Sequence, residues 1–177
     1  AYPGGSVVGR RAASALEPML SSIRDPMVHY HHEFSLGIRD FFVQSFDRSV
    51  QHLERAHRIA RDAGPSAQFE AAVSAALLGW SRLAIGRIRE GIEEARDAHG
   101  AVLLRGDRHG ERCFAAFASM SALAEDDPER ARALLDAIAP RPGRRESFYE
   151  FDGRLMARRI DRYLLDPAAF ERMEASW

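Results

Sequence analysis

Lysine, asparagine and threonine are absent from this sequence of 177 residues, so all 25 of its basic side chains are arginines. Without lysine, the chain has no residue for lysine Schiff-base chemistry and cannot form the GxxxxGK[ST] loop that binds nucleotide phosphates. It also lacks a threonine nucleophile. The preference for arginine is typical of a GC-rich coding genome and indicates a bacterial source.

Cysteine occurs once, at Cys113, and long apolar runs do not occur. A single cysteine excludes an intrachain disulfide, which favours a reducing compartment. Charged residues interrupt every apolar stretch before the ~20 residues that a bilayer-spanning helix needs. We therefore expect a cytoplasmic protein. The first residues, "AYPGGSVVGRR", show neither an initiator methionine nor a signal-peptide pattern, which is compatible with a processed product, a trimmed chain or a segment of a larger protein.

The sequence has no excess of either charge, since 25 basic residues stand against 26 acidic ones and the net charge is −1. No overall field therefore attracts the chain to nucleic acid or to an anionic membrane. Hydrophobic residues make up 46% of the chain and charged residues 29%, which is the balance of an ordinary globular domain.

Alternating strand patterns are missing, whereas apolar residues recur at steps of three and four along almost the whole chain. This spacing predicts an all-α fold. Pro26 suits the first turn of one helix, "DAGPS" at 62–66 ends another, and a turn is expected at Gly106 and Asp107. The predicted stripes of the first half are Met27, Tyr30, Phe34, Ile38 and Phe41; Phe46, Val50, Leu53, Ala56 and Ala60; Phe69, Val73, Leu77, Trp80 and Ala84; and Ile88, Ile92, Ala95 and Val102.

The second half repeats this scheme. In "EDDPERARALLDAI", Asp127 suits an N-cap and Pro128 the first helical position, which predicts a helix start. The segment "APRPGRR" at 139–145 interrupts the helices, and "DPAAFERM" at 166–173 begins another. The stripes of this half are Cys113, Phe117, Met120 and Ala124, and Phe148, Phe151, Leu155 and Ile160.

Small residues recur in this pattern at nearly constant intervals. Gly37, Gly79 and Ser119 stand 42 and 40 residues apart, each inside the first helix of a pair. Small residues allow two helix backbones to approach, so stacked helix hairpins are expected. Gly79 is thus expected to permit close packing, and Gly86 to start the turn between two paired helices. The corresponding small residues one turn into the second helices are Ser49, Gly91 and Ala131.

With this spacing the chain resembles tetratricopeptide-type repeats, in the longer-period form of bacterial MalT/LuxR-type signal-transducing ATPase regulators and adenylate cyclase-like multidomain proteins. The resemblance implies an α-solenoid of about four repeats with incomplete ends. Three residues after each small residue the family prefers an aromatic, whereas this chain has Asp40, Arg82 and Ala122. A generic stack of antiparallel helices is the alternative. A single domain, 1–177, would comprise a partial hairpin at 1–25, repeats at 26–64, 65–105 and 106–140, and a terminal hairpin at 141–177.

The resemblance implies a non-catalytic protein-interaction or ligand-sensing module of a larger bacterial transcriptional or signalling regulator, with no cofactor. The first helix of each pair lines the inner groove of such a solenoid. Core packing is the alternative for each residue of that row, because an apolar stripe is usually buried. Trp80 is favoured as a contact because aromatics anchor binding sites. The expected binding residues are Phe34, Ile38, Phe41, Val73, Trp80, Leu83 and Met120.

The expected partner is a protein or peptide, another domain of the same polypeptide included, and neither nucleic acid nor a membrane. A small-molecule effector and a homo-oligomer are both compatible with the sequence. Two other functions are weighed beside this one. The first is a small-molecule-binding or metal-binding helical bundle associated with an enzyme, built on residues 29–33. The second is a self-associating structural module.

The histidines favour structural roles. His29, His32 and Glu33 fall within one helical turn, but zinc motifs on helices place two histidines four residues apart rather than three. No metal site is therefore predicted. His52 and His57 are five residues apart, so their side chains are expected to point in different directions.

Structural roles are also expected for the other reactive or charged candidates. Cys113 lies four residues from His109, yet its place on an apolar stripe predicts a buried core residue. Glu93 and Glu94 are expected on a solvated helix surface. The arginines of "RPGRR" and "ARRIDR" have acidic neighbours, which indicates local ion pairs rather than a nucleic-acid site.

Overall fold

The computed structural model describes residue 15 and residues 18–137 and 148–164, with the side chains of residues 108–109, 112–113 and 148–155 outside that description. Every element in these ranges is a helix, which confirms the predicted all-α fold. Within these ranges no helix is both long and apolar enough to cross a lipid bilayer. The helices are α1 (Pro26–Phe42), α2 (Phe46–Asp62), a short 3₁₀ helix (Gly64–Ala67), α3 (Gln68–Ala84), α4 (Ile88–Leu104), α5 (Arg108–Ala124), α6 (Pro128–Asp136) and α7 (Phe148–Tyr163).

Carboxylate caps start several of these helices. Asp25 precedes Pro26, and its Oδ1 accepts a 2.8 Å hydrogen bond from the backbone N–H of Met27. Asp127 precedes α6 and accepts a 3.0 Å bond from the N–H of Arg130. Such caps satisfy N–H groups that have no partner within the helix. The N-cap that the sequence predicts at Asp127 is confirmed.

Glycines in the left-handed region end two of the helices. Gly86 follows α3 with φ of +81°, and Gly106 follows α4 with φ of +65°. Glycine adopts this conformation without the steric cost of a Cβ atom. Both predicted turns are therefore confirmed. The segment "DAGPS", predicted to end a helix, contributes the last residue of α2 and the start of the 3₁₀ helix.

The chain divides into two compact units, Ala1–Glu94 and Ala95–Trp177. In the first unit, α1 packs against α2 and α2 against α3. Phe34 packs against both of its core clusters and joins them. The buried residues of these clusters are Tyr30, Ala56, Ala60 and Ala67, and Val50, Leu53 and Leu78.

In the second unit, α5, α6 and α7 pack against one another. Its largest buried side chains are each at most 2% exposed. They are Val102, Phe114, Phe117, Met156 and Ile160. Val102, Phe117 and Ile160 lie on predicted stripes, which confirms those three assignments. Ala124, also assigned to a stripe, is exposed at the last position of α5.

Three stripe residues of the first unit are exposed, and one of them, Ala84, is the last residue of α3. Phe69 is 49% exposed and Ile88 is 48% exposed. Both stand in the first turn of their helix, α3 and α4 respectively, before the turns that carry the buried side chains. Periodicity identifies the apolar face of a helix, but it does not tell how far along the helix a neighbour covers that face.

The small residues that mark the repeat are all buried, and in each hairpin the second one follows the first by twelve residues. Ser49 Oγ donates a 3.0 Å hydrogen bond to the carbonyl oxygen of Gly37. A Cβ atom on Gly91 would lie 2.9 Å from the carbonyl oxygen of Gly79. These contacts confirm that Gly79 sits where two helix backbones approach closely. In the third hairpin, Ser119 and Ala131 have no exposed surface.

Candidate binding surface and polar cavity

Four aromatic side chains meet at one end of α1. The ring of Phe41 lies 5.6 Å from that of Phe42, 5.7 Å from that of Phe46 and 5.6 Å from that of Trp80, each in an edge-to-face arrangement. The chain brings them together because α1 ends at Phe42, α2 begins at Phe46 and α3 places Trp80 in its last turns. We call these four residues the aromatic cluster.

The aromatic cluster is only partly covered. Phe42 is 66% exposed and the adjoining Val43 is 43% exposed, while Phe41, Phe46 and Trp80 are half-buried. Single exposed apolar side chains are ordinary on protein surfaces, but a contiguous apolar patch marks a contact site for another molecule. The cluster is therefore the candidate binding surface of the first unit.

All seven binding residues expected from the sequence are half-buried. The structure brings Phe41 and Trp80 into contact. Phe34 instead stacks on Tyr30 at 5.3 Å and fills the core, so core packing accounts for it. The side chain of Leu83 lies where a Cβ atom on Gly91 would stand, within the α3–α4 hairpin.

The remaining three expected residues are not aromatic, and they lie on three different helices. Ile38 lies on α1 and Val73 on α3, each half-buried. Met120 belongs to the second unit, where its sulfur lies 3.7 Å from a guanidinium nitrogen of Arg159.

Sequence reasoning missed two members of the aromatic cluster. Phe42 lies off the predicted stripe of α1, and Phe46 was assigned to the core stripe of α2. The available signal was the pair Phe41–Phe42 directly before the turn at residues 43–45. Two consecutive phenylalanines at a helix end cannot both point into one core, because adjacent residues differ by about 100° around the helix.

A polar cavity lies between α2, α3 and the first turns of α4, with a volume of about 440 Å³. It is entirely within the first unit. Apart from Leu78, every lining residue carries an ionisable side chain. The lining comprises Glu54, His57, Arg58, Arg61, Asp62, Leu78, Arg82 and Glu94.

A chain of ion pairs connects the walls of this cavity. Arg82 donates to Glu94 Oε2 at 2.7 Å and to Glu54 Oε1 at 3.0 Å. The other oxygen of Glu94, Oε1, lies 3.5 Å from His57 Nε2. Glu94 is only 20% exposed, so the expectation that Glu93 and Glu94 form a solvated surface is wrong for Glu94. The reason is tertiary: Arg82, on the preceding helix, faces it.

The hydrogen bonds of His57 define its tautomer. Its Nδ1 lies 3.0 Å from the carbonyl oxygen of Ala71 and 3.3 Å from Ser74 Oγ, whose own hydrogen is directed at backbone carbonyls. Because a carbonyl oxygen only accepts, Nδ1 carries the proton. In the neutral ring, Nε2 is then an acceptor that faces a carboxylate oxygen of Glu94.

The environment of His57 favours this neutral ring. Burial is the main cause that lowers the pKa of His57 below its ordinary value. The charge of Glu94 and the bond to Ala71 oppose that shift, whereas the positive charges of Arg61 and Arg82 add to it.

A second polar network joins α1 and α2. Glu33 Oε2 lies 2.7 Å from His52 Nδ1 and 2.9 Å from Arg55 Nε. Burial raises the pKa of Glu33, but the hydrogen bonds from His52 and Arg55 outweigh burial and hold that pKa below its ordinary value. His52 thus faces Glu33 while His57 faces Ala71, which confirms that the two histidines point in different directions.

The alternative metal site at residues 29–33 does not assemble. Glu33 is occupied by the network just described, and His29 Nε2 makes a 2.8 Å hydrogen bond with the carbonyl oxygen of Ile23. Among the described residues, no group of three or more His, Cys, Asp or Glu side chains has a metal-binding arrangement. The Cys113–His109 pair and the arginines of "RPGRR" lie outside the described side chains.

No family model matches the chain. No curated protein sequence matches it either.

Proposed function

We propose that the chain is a non-catalytic recognition module, built of tetratricopeptide-like helix hairpins, that binds an apolar face of a peptide or protein segment at the aromatic cluster. The observation that carries the proposal is that Phe42, 66% exposed, packs edge-to-face on the half-buried ring of Phe41, which also contacts Phe46 and Trp80. Aromatic side chains dominate the binding energy of interfaces when they are anchored and surrounded by apolar contacts.

The helical-repeat part of the proposal is supported by the twelve-residue relation between small residues in three hairpins. A recurring hairpin with one conserved close contact is the structural unit of such repeats. Within a larger bacterial regulator, the module would bind either a separate protein or another domain of the same polypeptide.

The chemistry of the cluster favours a partner segment with an apolar helical stripe. Ile38 and Phe41 stand one turn apart on α1, and the ring of Trp80 on α3 contacts that of Phe41. An amphipathic helix presents its own apolar side chains at this spacing and buries them in a groove between helices. Edge-to-face ring contacts then contribute binding free energy beyond that of the buried apolar area.

A peptide-display selection on the purified chain tests this function. We expect the selected peptides to share apolar residues at helical spacing. Phe42→Ala should weaken the best peptide about tenfold or more, the effect of losing an aromatic hot spot. Phe69→Ala is the matched control, because Phe69 is also about half exposed but stands eleven residues before Trp80, about 16 Å along α3.

Equal binding to the wild type and to Phe42→Ala would overturn the proposal. Sedimentation of both proteins over a concentration series addresses self-association. If the wild type is a dimer and Phe42→Ala is a monomer, a second copy occupies the cluster and the peptide assignment is wrong. A wild-type monomer leaves the cluster open to a partner segment, as the proposal requires.

A further inference from the structure

The polar cavity places two hydrogen-bond acceptors next to each other. With its proton on Nδ1, neutral His57 presents the Nε2 lone pair to Glu94 Oε1 at 3.5 Å. Two acceptors at this distance repel unless an N–H or O–H group lies beside both of them. A ligand N–H group beside His57 Nε2 and Glu94 Oε1 would therefore bond with both acceptors.

Two arginines stand at the rim of the same cavity. Arg58 and Arg61 are both exposed, and within the described part of the chain no carboxylate lies at ion-pair distance from either guanidinium. By contrast, Arg82 in the wall is engaged by Glu94 and Glu54. The rim thus offers two guanidinium forks, which bind carboxylate and phosphate groups through paired N–H donors.

The two features lie close enough for one small molecule to contact both. His57 and Arg61 are four residues apart on α2, so their Cβ atoms are separated by about 6 Å on one face of the helix. A volume of about 440 Å³ accommodates a small metabolite. Leu78 adds an apolar side chain to the lining.

We propose that this cavity binds a small zwitterion, whose ammonium group lies beside His57 Nε2 and Glu94 Oε1 and whose carboxylate or phosphate group lies on Arg58 and Arg61. The ammonium group donates to both acceptors and places a positive charge next to Glu94. The anionic group neutralises the rim. This site is separate from the aromatic cluster, so it gives the recognition module an effector site of its own.

The pH dependence of binding follows from the same geometry. Protonation of His57 places an N–H on Nε2, which then bonds Glu94 directly and displaces the ligand's ammonium group. The charged groups that face His57 are Glu94 from α4, Arg82 from α3 and Arg61 on its own helix. Affinity should therefore fall as the pH decreases below the range in which His57 is neutral.

Calorimetric titration of the full chain with each proteinogenic amino acid, and with phosphoethanolamine, tests the proposal. A carboxylate source and a phosphate source are thereby distinguished. We expect at least one compound to bind with a dissociation constant below roughly 10 mM. Its analogues without the amino group, or without the anionic group, should bind about tenfold more weakly, because each lacks one of the two charge-assisted contacts.

Variants assign the binding to this cavity. Arg61→Ala and Arg58→Ala should each weaken the compound about tenfold. Arg48→Ala, which removes an exposed arginine from the same helix outside the cavity, should leave binding unchanged. His57→Gln should also weaken binding, because its amide N–H would satisfy Glu94 internally. Circular dichroism verifies that each variant is folded.

Three results would overturn the proposal. One is that none of the compounds binds at roughly 10 mM. Another is that an analogue without its amino group binds as well as its parent. The third is that Arg58→Ala and Arg61→Ala both bind as the wild type does. None of these results bears on peptide binding at Phe42, so failure of this site and failure of the recognition function are distinguishable.

Discussion

The carbonyl oxygen of Gly79 lies 2.9 Å from the position that a Cβ atom would take on Gly91. The side chain of Leu83 lies 2.8 Å from the same position. Helices α3 and α4 therefore approach closely here, and Gly91 leaves the space that the Gly79 carbonyl and the Leu83 side chain occupy. At the equivalent crossing of α1 and α2, the hydroxyl of Ser49 donates a hydrogen bond to the carbonyl oxygen of Gly37.

We expect Gly91→Ala to destabilise the protein by about 1–3 kcal/mol, the usual cost of overpacking a close contact, because the carbonyl of Gly79 belongs to a helix backbone and cannot move aside. Gly100→Ala is the control on the same helix. A Cβ atom there has nothing within 4 Å, so alanine should stabilise α4 by about 0.5–1 kcal/mol through its helix propensity. Urea denaturation midpoints measure both, and equal midpoints would contradict the close crossing.

The aromatic cluster should separate stability from recognition. Phe41 contacts three rings, so Phe41→Ala should cost about 2 kcal/mol of folding free energy. Phe42 is mostly exposed, and Phe42→Ala should change stability by no more than about 0.5 kcal/mol. Thermal denaturation of both variants tests this difference. A large loss of stability from Phe42→Ala would show that this ring is structural.

His57 predicts a pH dependence of stability. Its folded pKa is lowered below the unfolded value of 6.5, so the unfolded chain binds more protons in the interval between the two pKa values. Stability therefore rises with pH through that interval, and it is lost as the pH decreases below about 6.5. His57→Gln should flatten the change in unfolding free energy between about pH 7.5 and about pH 5.5.

His31→Gln is the control for this measurement, because His31 is exposed. It should retain the slope of the wild type. A slope that survives His57→Gln would assign the pH dependence to another group and would contradict the neutral state of His57.

The cap of α6 gives a local prediction. Asp127→Ala removes the acceptor of the Arg130 N–H and should cost about 1 kcal/mol, as for other N-caps. Asp136→Ala, at the last position of the same helix, should be neutral or slightly stabilising, because a negative charge there opposes the helix dipole. Chemical denaturation of the two variants compares them directly. Equal destabilisation would show that the cap contributes nothing.

Local chemistry explains what the sequence determined by itself. Asp127 before Pro128 starts a helix in any context, and Gly86 ends one, because capping and a positive φ depend only on neighbouring residues. The recurrence of Gly37 and Gly79, each followed after twelve residues by another small residue, likewise predicted where helix pairs approach. The spacing of apolar and small residues, together with the capping residues at helix ends, therefore predicted the all-α fold and its hairpins.

Tertiary structure decided which face of each helix is covered and what each polar group meets. Phe34 and Phe41 share one stripe, yet one joins the core and the other the aromatic cluster, because α2 and α3 cover α1 unequally along its length. The sequence predicts Glu94 on the helix surface, but in the folded chain Arg82, twelve residues earlier, donates a hydrogen bond to its carboxylate. The sequence records the side chains, but ion pairs, buried tautomers and exposed rings depend on distances between helices that only packing fixes.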